Sequence, residues 1–410
     1  MPLLITTNSE VQQQLLHVAG EYGTPTYVYF EDIIRRQCRR LRELYDGLPA
    51  RLLYAMKANS SPRILQIIRD EGLGIETVSP AELILARRLG FDVDKMLFSA
   101  NNMTDEEMTR AHEIGVLLNI GELSRLERYG RAFPGSEVCV RLNPQVGAGH
   151  HEHVITAGSR SKFGIPVDDA GEVRQILDRH GLKLVGLHQH IGSGILNVED
   201  FRKAISVLIE AAPSFPDIRF INFGGGLGIP YGPDDAPLNR ERFRSQIHPL
   251  LHDFRSGRFA EVEYLFEPGR YIVAESGILL AEANTVKPAN GRVFVGMDTG
   301  MGQLMRPSLY DAYHEIANVT RPDGEMMPYD VTGNICESSD IFARDREIAE
   351  VSEGDLLAIQ DAGAYGMSMA STYNLRPLPA EVLVTSGGQI ELIRRRLTDE
   401  ELVDELLAAS

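Results

Sequence analysis

Five apolar runs open at a nearly constant interval along the first third of the chain. They are RLLYAMK from Arg51, GIETVS from Gly74, KMLFSA from Lys95, VLLNIG from Val116 and EVCVRL from Glu137, with starts 23, 21, 21 and 21 residues apart. Between them the apolar positions recur at helical spacing, over Pro62 to Glu71, Pro80 to Leu89, Thr104 to Ile114 and Glu122 to Arg131. Three further strand patterns follow at wider intervals, at Lys183 to Ile191, Arg219 to Phe223 and Glu263 to Phe266. Strands that are apolar almost throughout are buried on both faces, which is the signature of a parallel sheet covered by the intervening helices. Eight strand–helix units predict a (β/α)8 barrel of the TIM type. A doubly wound open sheet is the rival.

The texture changes after Arg270. Helical spacing thins out, and short β-rich runs alternate with turn residues: Tyr271 to Ala274, Arg292 to Met297, Leu356 to Gln360 and Glu381 to Val384. This predicts a second, β-rich domain, a sandwich or small barrel. Thr26 to Phe30 stands outside the eightfold count and is expected to pack with that domain. The reading is therefore a barrel over residues 31–270, and a β domain built from residues 1–30 and 271–410. Near the end, Thr398 and Glu401 form a capping-box pattern that predicts a helix from Thr398 to Ala409.

A chain of 410 residues suits two domains, and its 58 acidic residues against 41 basic ones give a net charge of −17. That balance argues against nucleic acid and against an anionic membrane surface, since both call for clustered Lys and Arg. No apolar run approaches membrane-spanning length and the start lacks a signal-peptide pattern, so a cytoplasmic protein is expected. Cys38, Cys139 and Cys336 are far apart and form no CxxC pair, so neither a disulfide framework nor a zinc site is suggested. His150, His151 and His153 cluster in a long loop, but without regular ligand spacing they do not make a metal site.

In a barrel the chemistry gathers where the strands end. Lys57 ends the first strand. It is either a charge reaching water or a buried amine, and a buried amine becomes nucleophilic enough to form Schiff bases with carbonyl compounds such as pyridoxal phosphate. His190 ends the motif HQHIGSG, and Gly224 to Gly228 follow the next strand. Glu267 opens EPGR after the last. Each has a plain structural reading: a satisfied core histidine, a tight turn, an ion pair of Glu267 with Arg141 or Arg270. Each also has a chemical one. An imidazole stacks on a planar ring. Glycine N–H groups approach a phosphate, with Ser193 as a further donor. A carboxylate keeps a ring nitrogen protonated. Four such motifs on one barrel face favour the chemical reading.

Together YAMKAN around Lys57, HQHIGSG, GGGLGIPY and EPGR resemble the fold-type III pyridoxal phosphate-dependent decarboxylases, the alanine-racemase-like group. Further motifs resemble the diaminopimelate decarboxylases among them. These are NPQVGAGHHEHVITAG before Lys162, MRPSLYDAYHEI at Met305 to Ile316, CESSD at Cys336 to Asp340, DAGAYGMSMASTYNLRP at Asp361 to Pro377, and LIRRR near the end. The resemblance covers nearly the whole chain.

The resemblance implies pyridoxal phosphate as cofactor and decarboxylation of meso-2,6-diaminopimelate to L-lysine and CO2, the last step of lysine biosynthesis. It implies that Lys57 anchors the cofactor and that His190 stacks on its ring. Ser193, Gly225, Gly226, Gly269 and Arg270 contact the phosphate and ring, and Glu267 the pyridine nitrogen. Arg270, Arg306 and Tyr310 hold the substrate, and Tyr365 touches both cofactor and substrate. Cys336, the expected proton donor, and Glu337, which recognises the distal amine, reach across a homodimer interface into shared active sites. Relatives acting on ornithine or arginine usually carry aspartate after the cysteine, so Glu337 favours diaminopimelate. Ser339 and Thr372 depart from the family's usual residues near the substrate end. They leave open a related decarboxylase acting on another amino acid, such as lysine, ornithine or arginine. A decarboxylase-like binding protein without cofactor would be expected to lose Lys57 or EPGR, and both are present.

Overall fold

The computed structural model describes residues 8–145, 157 and 161–408. They fall into two compact units, one within residues 35–230 and 236–271, the other within residues 8–34, 231–235 and 272–408.

The first unit is a closed parallel barrel. Its eight strands are Ala50–Ala55, Gly74–Thr77, Met96–Phe98, Leu117–Ile120, Glu137–Asn143, Lys183–His188, Phe220–Asn222 and Glu263–Phe266. Each pairs in parallel with its neighbours, and Glu263–Phe266 returns to Ala50–Ala55 to close the ring. Leu53, Leu97, Cys139, Val185, Phe220 and Leu265 form a buried cluster contributed by six of the strands. The Phe220 ring occupies the space that a side chain at Gly186 would need, with a Cβ there only 2.0 Å from the ring. Local signals place the helices. Pro80 opens the helix Pro80–Arg88, and the Ser79 hydroxyl caps it by accepting from the Glu82 N–H. Thr104 and Glu107 form a full capping box on Asp105–Ile114, which ends at Gly115 with φ +83°.

The second unit is built on a nine-stranded sheet. Its main path runs Ile341–Ala349, Met326–Thr332, Arg292–Met297, Gly277–Ala289, Thr26–Phe30, Ala380–Val384 and Ile390–Arg394. Leu356–Ile359 branches from Gly277–Ala289 and carries Ile316–Asn318 on its other edge. Thr26–Phe30 joins this sheet between Gly277–Ala289 and Ala380–Val384. Val11, Leu15 and Val18 of the helix Ser9–Tyr22 bury against Val28, Ile278, Leu280 and Val382. The C-terminal helix Asp399–Leu407 starts with the expected box, Thr398 and Glu401 each bonding the other's backbone N–H.

One strand expected from sequence is a helix. Tyr271 to Ala274 lies in the turn Arg270–Val273 and the 3-10 turn Ala274–Ser276. Ile272, Val273 and Ala274 are each fully buried. A short run with three consecutive buried apolar residues carries no period, so β-branched content alone pointed to the wrong element. His150, His151 and His153 lie outside the described residues.

Candidate active site

A group of polar side chains stands at or near the C-terminal ends of the barrel strands. Glu76, Asn119, Arg141, His188 and Asn222 lie in the strands, Lys57 and Glu267 immediately beyond them. Arg141 pairs in register with His188, and His188 with Asn222.

Lys57 sits in the 3-10 turn Met56–Ala58 that follows the first strand. That turn is pressed against EPGR: the Ala55 N–H donates to the Pro268 carbonyl at 3.1 Å, and a Cβ on Gly269 would lie 3.0 Å from that of Ala58. The Lys57 side chain is 36% exposed, and its Nζ donates to Glu76 Oε2 at 2.7 Å, a carboxylate only 2% exposed. The lysine is thus a half-covered ammonium with a buried counter-ion. Burial pushes the Glu76 carboxyl up, and Lys57 pulls it back only in part.

Glu267 pairs with neither Arg141 nor Arg270. Its Oε2 lies 3.1 Å from His188 Nε2, and its Oε1 accepts from Asn222 Nδ2 at 2.7 Å. Burial alone would neutralise this carboxyl, but His188 and then Lys57 outweigh it and hold the group below the ordinary carboxylate range. Asn222 Oδ1 in turn accepts the Gly224 N–H at 2.9 Å, so one amide ties the glycine loop to Glu267. Burial depresses the His188 pKa despite Glu267 beside it, and pulls the Arg141 guanidinium down to about 10.

His190 lies two residues beyond its strand, and its Nδ1 accepts the Gly225 N–H at 3.0 Å. That bond fixes the neutral ring with its proton on Nε2. Burial, then the Arg141 and Lys57 charges, depress its pKa well below the ordinary value. The glycines are there for space. A Cβ on Gly225 would fall 2.2 Å from the Glu267 carbonyl oxygen, and one on Gly224, whose φ is +70°, would fall 2.3 Å from the Gln189 carbonyl. Gly226, at φ +111°, packs on Gly192. Only glycine allows these three loops to meet. Beside them Arg270 donates from Nε and Nη2 to Ser193 Oγ at 3.1 and 3.0 Å.

The remaining predicted residues belong to the second unit. Arg306 and Tyr310 begin and end the short helix Arg306–Tyr310. Arg306 is 1% exposed, donates from Nη1 to His314 Nε2 at 2.9 Å, and lies over the Tyr231 ring at 4.4 Å. Cys336 and Glu337 are exposed on a loop whose Cys336 N–H donates to Asn374 Oδ1 at 3.0 Å. Tyr365 has φ +56°, a left-handed conformation unusual for a bulky residue and commonest where function holds it.

Sequence reasoning overlooked Glu76, His188, Asn222 and His314. The signal for the first three was present: one polar residue near the C-terminal end of an otherwise apolar barrel strand.

Residues 31–274 match the family model for the pyridoxal binding domain of pyridoxal-dependent decarboxylases. The diaminopimelate decarboxylase of Methanothermobacter thermautotrophicus is 44% identical over 398 residues, covering 95% of this chain and 92% of that protein. The chain belongs to the pyridoxal-dependent decarboxylase family. A crystal structure of a diaminopimelate decarboxylase superposes with TM-score 0.91 at 33% identity, covering 98% of this chain and 99% of that one. The Helicobacter pylori enzyme, solved in complex with L-lysine, gives 0.88 at 31% identity, covering 96% and 100%. This decarboxylase therefore uses pyridoxal phosphate, and the barrel residues fit that group. There is a primary amine for its aldehyde, a carboxylate held ionised for its ring nitrogen, and a loop cradle that any side chain would fill. An Arg–Ser pair is available for its phosphate. Among the described residues no cluster of His, Cys, Asp and Glu is arranged to hold a metal ion, and no helix is long and apolar enough to cross a membrane.

Proposed function

We propose that this chain decarboxylates meso-2,6-diaminopimelate to L-lysine and CO2, as the last step of lysine biosynthesis. The supporting observation is the barrel-end donor set in a chain so close to diaminopimelate decarboxylases: the Lys57 amine, the ionised Glu267, and the glycine cradle beside Arg270 and Ser193. Bound pyridoxal phosphate supplies an electron-poor ring that takes up the electron pair left when the carboxylate departs.

The chain's own groups do the rest. Lys57 anchors the cofactor. Glu267 keeps a proton on the ring nitrogen, because a carboxylate held ionised favours a cation beside it. His190, neutral, covers the ring without competing for that proton. Gly225, Gly226, Gly269, Ser193 and Arg270 receive the phosphate and the ring edge. Arg306 and Tyr310, with Arg270, hold the substrate's distal end, where a guanidinium suits a carboxylate. Tyr365 touches cofactor and substrate. Glu337 accepts from the distal ammonium, and Cys336 returns a proton to the carbon that has lost CO2. Cys336 and Glu337 act on the partner's substrate. The proposed form is a cytoplasmic homodimer with shared sites, consistent with their exposure beside the exposed Tyr373 and Leu375.

The test is CO2 release by the pyridoxal phosphate-loaded enzyme from diaminopimelate, lysine, ornithine and arginine. Diaminopimelate is expected to be turned over with by far the highest kcat/KM. A preference for any of the other three overturns the substrate assignment.

A further inference from the structure

We infer that His314 is a positioning residue for Arg306, holding the guanidinium in one plane so that its Nε–Nη2 edge serves the substrate carboxylate. This rests on the reading of Arg306 as a carboxylate-binding residue given above.

Two contacts set the state of the imidazole. His314 is 1% exposed and sits between a group that only donates and a group that only accepts. Arg306 Nη1 gives its N–H to His314 Nε2 at 2.9 Å. On the other side His314 Nδ1 lies 2.7 Å from the Gln360 backbone carbonyl and donates to it. The ring is therefore neutral and carries its proton on Nδ1, since a proton on Nε2 would face an N–H of Arg306. The carbonyl that sets this tautomer belongs to the sheet. Ile316 pairs with Ile359 in the antiparallel ladder, and the Gln360 N–H donates to the Glu315 carbonyl at 2.9 Å. A backbone ladder thus fixes His314, and His314 fixes Arg306.

Tyr231 completes the arrangement. Its ring lies 4.4 Å from the Arg306 guanidinium carbon and 5.4 Å from the His314 ring centroid, inclined 70° to the latter. The guanidinium is held over one face by Tyr231 and through one nitrogen by His314. His314 takes Nη1, the nitrogen outside the Nε–Nη2 edge. That edge presents two parallel N–H vectors, the geometry that binds a carboxylate bidentately. A guanidinium already held in its working plane loses less freedom when substrate binds, which is read in KM rather than in the chemical step.

The experiment is steady-state decarboxylation of diaminopimelate by pyridoxal phosphate-loaded His314→Ala, His314→Asn, His314→Gln and Arg306→Ala, with melting temperature and cofactor absorbance measured alongside. Glutamine places an acceptor where Nε2 stood, whereas asparagine reaches only the Nδ1 position. His314→Ala and His314→Asn are expected to raise KM about tenfold with kcat changed less than about threefold, and His314→Gln to restore most of the loss. Equal KM values in all three His314 variants, a fall in kcat at unchanged KM, or a KM defect that simply tracks melting temperature overturns the positioning role. Arg306→Ala separates the two layers. If it raises KM while His314→Ala does not, only the positioning role fails. If it leaves KM unchanged, the carboxylate reading of Arg306 fails, and the role of His314 with it.

Discussion

The Lys57 ammonium and the Glu76 carboxylate lie 2.7 Å apart, with the acid almost wholly shielded from water and the amine partly open to it. The pair is asymmetric, because it is Glu76 that carries the cost of burial. Lys57→Ala removes the ammonium and leaves a buried acid whose neutral form is favoured further. Below the ordinary glutamate value of 4.5 the acid is protonated both folded and unfolded, so nothing is lost. Above it the unfolded chain releases the proton while the folded one retains it, so stability falls as the pH rises. Denaturant unfolding of the cofactor-free proteins should show Lys57→Ala close to wild type near pH 4.5 and less stable by about 1–3 kcal/mol near pH 8. A deficit that does not change with pH would exclude Glu76 as its source. The same variant should have no measurable decarboxylation.

The barrel was legible in sequence because its strands are short and largely apolar and the first five are evenly spaced, the pattern of parallel strands covered by helices. The proposed site was legible where it lies in rare residue strings, as at Gly224 to Gly226 and at EPGR. Glu76 escaped notice because Gly-Ile-Glu-Thr, with polar residues at two of its four positions, also reads as a half-exposed strand. Its burial depends on Lys57, supplied by the neighbouring strand whose Ala55 pairs with Glu76. The plain alternative for Glu267, an ion pair with Arg141 or Arg270, does not hold. Arg141 is the obvious ion-pair candidate in sequence, but in the structure its Nη2 donates to the His190 carbonyl, while His188 and Asn222 are the partners of the carboxylate. At Tyr271 to Ala274 an apolar run read as strand is a helical turn leading into a 3-10 turn.

The glycine cradle is steric, and the prediction is an ordering of two variants. Gly225→Ala sets a Cβ 2.2 Å from the Glu267 carbonyl oxygen, a backbone atom fixed by the bond from the Glu267 N–H to the Gly224 carbonyl. Gly171→Ala, in the helix Ala170–His180, meets nothing within 4 Å. The first should cost about 1–3 kcal/mol and release pyridoxal phosphate on dialysis. The second should be neutral or stabilising by up to about 1 kcal/mol with cofactor retained. Thermal melts and cofactor absorbance after dialysis check both.

His190 predicts a pH response of the opposite sign to that of Glu76. Its folded pKa is depressed, while the unfolded imidazole takes a proton near 6.5. The contribution of the neutral ring is complete above that value and is lost as the pH falls below it. His190→Phe keeps an aromatic face but neither titrates nor accepts the Gly225 N–H. It should be less stable than wild type by about 1–3 kcal/mol near pH 7.5. On acidification to about pH 5.5 it should lose less than wild type does. Some acid sensitivity should persist, because His188 is depressed in the same direction.

Asp340 holds the loop that carries Cys336 and Glu337. Its Oδ1 accepts from the Met301 N–H at 2.6 Å and its Oδ2 from the Ile335 N–H at 2.7 Å, in a site where the residue is 4% exposed. A Cβ on Gly333 would lie 2.3 Å from Oδ2, so backbone is packed directly on the carboxylate. Asp340→Ala strips two buried N–H groups of their acceptor, at about 1–3 kcal/mol for such a loss. It should lower kcat by displacing Cys336 and Glu337, while cofactor absorbance, which the proposal ties mainly to barrel residues, is retained. Loss of cofactor together with activity would show instead that the variant has unfolded more widely.

The proposed sharing of active sites between protomers makes a prediction of its own. Lys57→Ala removes the cofactor anchor from the protomer that carries it. Cys336→Ala removes a proton donor that the proposal assigns to the partner's site, worth about 100-fold or more in rate. Each homodimer should therefore be nearly inactive. In a hybrid dimer one site combines Lys57 from the Cys336→Ala protomer with Cys336 from the Lys57→Ala protomer, and is intact, while the other site carries both lesions. Equal mixing with free exchange makes about half the dimers hybrid, each with one working site of two, so activity should recover to about a quarter of the wild-type level. Co-expression of the two tagged variants, followed by a CO2-release assay on the doubly tagged fraction, measures it directly. That fraction should reach about half of wild-type activity per dimer. If Cys336 served its own protomer's Lys57, every site in the hybrid would carry one lesion, and no activity would return at any mixing ratio.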